Sequence, residues 1–145
     1  MQEKSTVAEG ARISIVDDDE SMREAIKTLT LSMGLSVEEF SSAEDFLNSR
    51  RSQDSDCLIL DVRMPGLGGL ELQRRLAADN SHIPIVFITA HYNEEERKRA
   101  MQAGAVDFLR KPFTEQELLK AISASLAMRG KVINGSVADS DLNSV

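Results

Sequence analysis

Short apolar runs alternate with polar turns and helical patterns along most of the chain, at intervals of about 22 to 26 residues. The apolar runs lie at 13–16, 35–40, 57–60, 83–88 and 106–109. Continuous runs such as 57–60 are typical of parallel strands that are buried on both faces. The run at 35–40 instead sets Leu35 and Val37 against Ser36 and Glu38, which predicts an edge strand.

The segments between these runs carry the marks of helices. Two apolar stripes with helical spacing predict a first and a last helix: Met22, Ala25, Ile26, Leu29 and Met33, and Leu118, Leu119, Ile122 and Leu126. Ser42 with Asp45, and Thr114 with Glu117, have the spacing of N-terminal capping boxes.

The fourth predicted helix, at 93–103, is mostly charged, and its apolar face is limited to Ala100, Met101 and Ala103. Its block of charges at 94–99 fits a solvated face held by ion pairs one turn apart. The same charges also fit a surface that moves or meets a partner.

This alternation predicts an α/β domain with five parallel strands. The domain is expected over 12–128. Residues 1–11 and 129–145 are polar and lack periodicity, which predicts a flexible N-terminal tail and a polar C-terminal tail.

Composition narrows the class of protein. The 145 residues (16.0 kDa) suffice for one domain with its own core, and the net charge of −7 argues against direct contact with nucleic acid. No apolar run approaches the ~20 residues of a membrane span, and no secretory signal follows Met1. The single cysteine, Cys57, excludes an internal disulfide, which fits a cytoplasmic protein.

Charged or hydroxyl side chains follow four of the five predicted strands. Because ligands bind beyond the carboxyl ends of strands in open parallel sheets, we expect these groups to share one edge. They are Asp17, Asp18 and Asp19 after the first strand, Asp61 after the third, Thr89 after the fourth, and Arg110, Lys111 and Pro112 after the fifth. Each has a structural explanation of its own; Asp18 or Asp19, for example, would cap a helix.

Together, the carboxylates need compensation. One close pair of carboxylates repels by about 4 kcal/mol at an effective dielectric constant of about 20. Three carboxylates, Lys111 and one divalent cation sum to zero charge. Oxygen ligands favour Mg²⁺. A zinc site is not expected, since His82 and His91 stand alone and Cys57 lies within a strand.

Four motifs now carry a family resemblance: IVDDD at 15–19, LILDVRMPGLGGLEL at 58–72, FITAH at 87–91 and FLRKPF at 108–113. In their order and separations they resemble the receiver domain of two-component response regulators, the CheY-like fold, over residues 12–128. The resemblance implies a doubly wound, flavodoxin-like sheet with its five parallel strands in the order 2-1-3-4-5. The wording LDVRMPG is most similar to FixJ-like regulators.

The resemblance implies a site for phosphoryl transfer. Asp61 matches the phosphoacceptor. Asp17 and Asp18 match the acidic pair that holds Mg²⁺ (Mn²⁺ is also possible), with Asp61 and the backbone carbonyl of Arg63 completing the protein ligands. Lys111 matches the lysine that contacts the phosphoryl oxygens.

It also implies a switch and its partners. Thr89 matches the hydroxyl that closes on the phosphoryl group, and Phe108 the aromatic switch residue. Arg63 and His91 hold the positions that tune the lifetime of the phosphate, and the bond between Lys111 and Pro112 is expected to be cis. The donor is a sensor histidine kinase or phosphotransfer protein. A homodimer is possible through the fourth helix, fifth strand and fifth helix.

One position departs from the family pattern: Gly68 stands where many relatives carry aspartate before the glycine. It lies outside the chemistry, so phosphorylation is expected to survive. The loop is expected to be more flexible.

Two alternatives remain. A haloacid-dehalogenase-like phosphatase would use Asp17 as nucleophile and Asp19 as general acid, but its last acidic motif is missing, since only Asp139 and Asp141 follow Lys111 as aspartates. A phosphate-independent receiver-fold interaction module would have lost an acid, the acceptor or the lysine, all of which are present. Both a stand-alone receiver and the N-terminal part of a DNA-binding regulator fit the sequence.

Overall fold

The computed structural model describes residues 10–50 and 54–131, in which five strands alternate with five helices. The strands are β1 Arg12–Val16, β2 Ser36–Phe40, β3 Cys57–Asp61, β4 Ile85–Thr89 and β5 Asp107–Arg110. The helices are α1 Glu20–Ser32, α2 Ala43–Leu47, α3 Gly69–Ala78, α4 Glu94–Gln102 and α5 Glu115–Ala127. Residues 1–9 and 132–145 of the predicted tails lie outside the described residues.

All strand pairs are parallel, and the sheet order is β2-β1-β3-β4-β5. The predicted fold class and strand order are therefore confirmed, and β2 is an edge strand as its alternating pattern indicated.

The sheet separates two hydrophobic cores. Successive side chains of a strand point to opposite faces, so Ile59 packs with α1 and α5 while its neighbours Leu58 and Leu60 pack with α2, α3 and α4. All five residues of β3 and of β4 are buried, which explains their continuous apolar sequences. Helices cover both faces of the sheet. The carboxyl ends of the strands are therefore where the sheet is open to solvent.

The helix boundaries follow the predicted caps. Asp19 caps α1 by accepting hydrogen bonds from the backbone N–H groups of Ser21 and Met22. At the start of α2, Ser42 accepts from the N–H of Asp45, but the described residues show no return bond from the Asp45 side chain, so only half of the predicted capping box forms. At α5, Thr114 and Glu117 form a reciprocal capping box.

The fourth helix is attached by very little apolar surface. Ala100 is its one fully buried residue, and Met101 is half-buried. The expectation that Ala103 is buried is wrong: α4 ends at Gln102, and Ala103 is exposed where the chain turns into Gly104 at a φ of 102°. Moving α4 therefore disturbs little packing.

At the amino ends of the strands, buried Asp56 is the centre of a cluster of ion pairs. Its carboxylate accepts a hydrogen bond from the Arg12 N–H at 2.9 Å and pairs with Lys131 at 3.0 Å and Arg129 at 3.6 Å. These contacts join the residues that follow α5 to the start of β1.

Gly69, the first residue of α3, packs directly on the end of β3. A Cβ there would lie 2.3 Å from the carbonyl oxygen of Asp61 and 3.1 Å from Cα of Val62. Both are backbone atoms that cannot rotate away. We predict that Gly69→Ala lowers the free energy of unfolding by about 1–3 kcal/mol, measured by urea denaturation, even though alanine favours helices.

The matched control is Gly68→Ala, one residue earlier. Its Cβ would lie 3.4 Å from the Val62 carbonyl oxygen, and its φ of −82° suits alanine. The free energy of unfolding of Gly68→Ala should fall by less than about 1 kcal/mol, because alanine is a weaker N-cap than glycine. Equal losses in the two variants would contradict the packing argument.

Candidate functional site

Asp17 lies at the centre of the charged strand ends and is fully buried. One carboxylate oxygen accepts a hydrogen bond from the backbone N–H of Asp19 at 2.9 Å. The other pairs with Nζ of Lys111, also at 2.9 Å. Both oxygens of this carboxylate are therefore held in place.

Asp61 ends β3, next to β1 in the sheet, and is 6% exposed. Asp17, Asp18 and Asp61 each offer a carboxylate oxygen within 4.8 Å of the others. Asp18 is exposed, so this group of carboxylates opens to solvent on its side. The structure thus brings together the three acidic side chains singled out in the sequence.

Lys111 reaches these carboxylates from the end of β5. Its backbone N–H donates to the carbonyl of Thr89 at 2.8 Å, and its peptide bond to Pro112 is cis. Its Nζ lies 2.9 Å from Asp17 and 3.7 Å from Asp61. The lysine therefore compensates Asp17 more closely than Asp61.

The imbalance appears in the pKa of Asp61, which is raised to about 7. Burial is the main cause, and the charge of Asp17 adds to it. Lys111 and the backbone N–H of Arg63 act in the opposite direction but do not cancel the shift. Near neutral pH, Asp61 is therefore partly protonated in the metal-free protein, and an added cation would favour the carboxylate.

The chemistry of these groups fits a hard divalent cation. The candidate ligands are carboxylate oxygens, which Mg²⁺ prefers, and the cluster contains no histidine or cysteine. Arg63 lies beside the cluster, with its backbone N–H on the Asp61 carboxylate, while its guanidinium reaches both carboxylate oxygens of Glu96 at 3.3 Å.

Thr89 lies at the end of β4, with its hydroxyl bound within its own turn. The hydroxyl donates to the His91 carbonyl at 3.1 Å and accepts from the His91 N–H at 3.0 Å. Thr89 is buried, whereas His91 is exposed. In this conformation the hydroxyl serves the turn into α4.

Comparison with known proteins now identifies the fold's family. The model of the response regulator receiver domain matches residues 13–123. The chain belongs to the response regulator receiver family.

The aligned part of this chain covers about half of each of two similar proteins. Nodulation protein W of Bradyrhizobium diazoefficiens is 50% identical over 115 residues, 79% of this chain and 51% of that protein. Response regulator protein TodT of Pseudomonas putida is 51% identical over 116 residues, 80% of this chain and 51% of that protein. The chain thus spans about half the length of these curated relatives.

The solved structure of FixJ-N superposes with a TM-score of 0.73 at 33% identity, over 81% of this chain and 94% of that one. The likeness to FixJ-like regulators is confirmed. The receiver domain belongs to phosphorylation-activated response regulators, which are signalling proteins that histidine kinases phosphorylate. Among the described residues, no helix is both long and apolar enough to cross a membrane.

The family match does not favour the two alternatives, and the geometry adds a reason against the phosphatase. A nucleophile needs a free oxygen that substrate can approach. Asp17 is fully buried and lies 2.9 Å from Lys111, whereas Asp61 keeps 6% exposure and lies 3.7 Å from the lysine.

The receiver's face at α4 and β5 contains an aromatic cluster that the sequence analysis did not find. The ring of buried Phe108 lies 5.9 Å from those of Phe87 and Tyr92. Arg110 stacks on Tyr92 at 4.6 Å, and the Tyr92 hydroxyl donates to Glu94 at the start of α4. Tyr92 directly follows the FITAH motif and is the protein's one tyrosine, which was the available signal.

The raised pKa of Asp61 predicts a pH-dependent stability in the absence of divalent cations. The folded state holds this proton up to about pH 7, whereas the unfolded chain releases it near pH 4. The free energy of unfolding should therefore fall as pH rises between these values. Asp61→Asn, which cannot ionise, should flatten this slope and be more stable than wild type at pH 8 in EDTA, measured by urea denaturation.

Asp79→Asn is the control, since it removes an exposed carboxylate at the far end of α3. It should keep the wild-type slope. An unchanged slope in the Asp61→Asn variant would show that the titration of Asp61 does not cause the pH dependence of stability.

Proposed function

We propose that this receiver accepts a phosphoryl group on Asp61 from a histidine kinase or phosphotransfer protein. The observation that carries the proposal is the convergence of Asp17, Asp18 and Asp61 with Lys111 at one sheet edge, in a chain of this family. Asp61 is the carboxylate less tightly held by Lys111. Of the two carboxylates that Lys111 contacts, Asp61 therefore has the oxygen that is more available to react.

In the transfer step, a carboxylate oxygen of Asp61 forms a P–O bond as the P–N bond of the donor's phosphohistidine breaks. The bonding electrons return to the leaving imidazole. Lys111 contacts the phosphoryl oxygens and offsets part of their charge. Phosphoryl transfer depends mainly on such positioning and charge neutralisation.

Asp17, Asp18, Asp61 and the backbone carbonyl of Arg63 are the proposed ligands of Mg²⁺, with Mn²⁺ as a possible substitute. The ion would supply the positive charge that keeps Asp61 ionised and neutralises the incoming phosphoryl group. After transfer, one carboxylate charge is replaced by roughly two negative charges. New hydrogen-bond donors are then needed.

The acyl phosphate is expected to be lost by hydrolysis that the domain itself assists, so the protein acts as a switch with a limited lifetime. Arg63 and His91 flank the site and are exposed. They are the proposed tuning residues. The pairing of Arg63 with Glu96 links that tuning position to α4.

Covalent capture tests the acceptor. Incubation with acetyl phosphate and Mg²⁺ should add one phosphoryl group, seen by intact mass as a gain of about 80 Da. Asp61→Asn should abolish the gain. Asp19→Asn, which alters only the cap of α1, should retain it. Label that survives in Asp61→Asn and disappears in Asp17→Asn would assign the nucleophile to Asp17.

We further propose that phosphorylation changes the surface formed by α4, β5 and α5. Thr89 would leave its hydrogen bonds with His91 and donate to the phosphoryl group. Phe108 would fill the space left behind, and Tyr92 would move because its ring packs on Phe108. The thin apolar attachment of α4 lowers the cost of this change. A homodimer through this surface is the proposed active form.

Tyrosine fluorescence tests the switch, because the protein has one tyrosine and no tryptophan. Mg²⁺ with beryllofluoride should change the emission of Tyr92 in wild type. Thr89→Ser keeps the hydroxyl and should keep the change. Thr89→Val has the same shape without the hydroxyl and should lose the change. An equal response in the valine variant would rule out Thr89 as the relay.

The proposed location is the cytoplasm. Cys57 is fully buried, and burial raises the pKa of its thiol to about 12. This side chain is therefore a neutral part of the core at physiological pH.

A further inference from the structure

The loop that joins β3 to α3, residues 62–68, is held by a side chain from another helix. Glu44, on α2, accepts a hydrogen bond from the backbone N–H of Leu67 at 3.0 Å. The same carboxylate lies close to Gly66, since a Cβ added to Gly66 would lie 2.8 Å from a Glu44 oxygen. Gly66 has a φ of 76°, so its backbone is in the left-handed region.

The loop is closed by a hydrogen bond from the Gly69 N–H to the Val62 carbonyl at 2.9 Å, and Pro65 restricts its middle, but its end nearest α3 has little to stiffen it from within. Glycines occupy three of the four positions 66–69, and glycine leaves the backbone its greatest conformational freedom. Gly68 is the N-cap of α3 and has no side chain to cap the helix. The Glu44 carboxylate thus provides from α2 an acceptor that the loop's own sequence does not provide at this end.

The loop is also part of the site. It begins directly after Asp61, and the N–H of Arg63 contacts the Asp61 carboxylate. A loop that must be ordered when a ligand binds weakens that binding by the free energy of ordering it. Any contact that orders the loop beforehand therefore favours the bound state.

We propose that Glu44 is a positioning residue for the metal site: its hydrogen bond to Leu67 orders the 62–68 loop and so presents the Arg63 carbonyl to Mg²⁺. The inference rests on the proposed function, in which Arg63 is a ligand. Glu44 itself is not a ligand; it acts through the backbone of the loop.

A second route by which Glu44 would favour a cation is its negative charge. The Leu67 N–H lowers the pKa of Glu44 below its usual range, so the carboxylate is ionised at neutral pH. The two routes differ in what glutamine does at this position. The Glu44→Gln variant would keep a side-chain carbonyl oxygen to accept the Leu67 N–H but would lack the charge.

The test uses Glu44→Ala, Glu44→Gln and the control Asp45→Ala, which removes the exposed neighbouring carboxylate from the same helix. Amide hydrogen exchange of residues 63–69 is measured by NMR without metal. Amide shifts during a Mg²⁺ titration then give the dissociation constant of the metal for each folded variant.

Glu44→Ala should accelerate exchange at Leu67 and its neighbours in the metal-free protein and weaken Mg²⁺ binding roughly three- to tenfold, the size of one net hydrogen bond. Glu44→Gln should restore most of both, and Asp45→Ala should resemble wild type. Unchanged Mg²⁺ affinity in Glu44→Ala would overturn the inference while leaving the proposed function intact.

Two other results also decide against it. If Glu44→Gln and Asp45→Ala weaken binding as much as Glu44→Ala, the effect is the loss of negative charge and positioning is excluded. If wild type shows no Mg²⁺-dependent shifts around Asp17 and Asp61, the proposed metal site fails, and the role of Glu44 fails with it.

Discussion

Crowding of negative charge at one sheet edge is the constraint on which this protein depends. Parallel strands end at a common edge, and here β1 and β3 bring three carboxylates within 4.8 Å of one another. Lys111 pairs with two of these carboxylates, Asp17 and Asp61. Because Lys111 lies nearer to Asp17 than to Asp61, the unbalanced charge falls on Asp61, whose pKa rises to about 7. This unbalanced negative charge at the carboxyl ends of the strands favours the binding of a cation and of a ligand that completes the charge balance.

The packing around that edge separates rigid parts from movable ones. The continuous apolar strands β3 and β4 are buried throughout, so the backbone that carries Asp61 and Thr89 is anchored in both cores. Helix α4 is attached through the small apolar surface of Ala100 and half-buried Met101, a buried hydrogen bond from the Gln73 amide to the Ala100 carbonyl, and the polar contacts of its first turn. A change of charge at the rigid edge can therefore be expressed in a helix that is inexpensive to move.

The loop after β3 lies between these extremes. Gly69 must approach the Asp61 carbonyl closely, and a side chain there would separate α3 from the strand. The same glycine-rich sequence gives the backbone at 66–68 wide conformational freedom, although the hydrogen bond from the Gly69 N–H to the Val62 carbonyl closes the loop. Contacts from neighbouring helices, Glu44 of α2 and Glu96 of α4, hold the loop on two sides. The site is thus ordered by elements that contribute nothing to its chemistry.

The strand order was implied by the family resemblance of the motifs. The sequence by itself determined the alternation of strands and helices, the edge position of β2, most caps and the set of acidic residues at the sheet edge. These follow from local rules: hydrophobic periodicity, capping spacing and the fact that parallel strands end together. Only the tertiary structure decided which carboxylate Lys111 holds, since that depends on distances across strands. The same is true of the ring of Tyr92 on Phe108 and of Glu44 on the loop, because these pairs join residues with no characteristic spacing. It also showed Ala103 exposed, because the end of α4 is set by the turn that follows it and not by its apolar pattern.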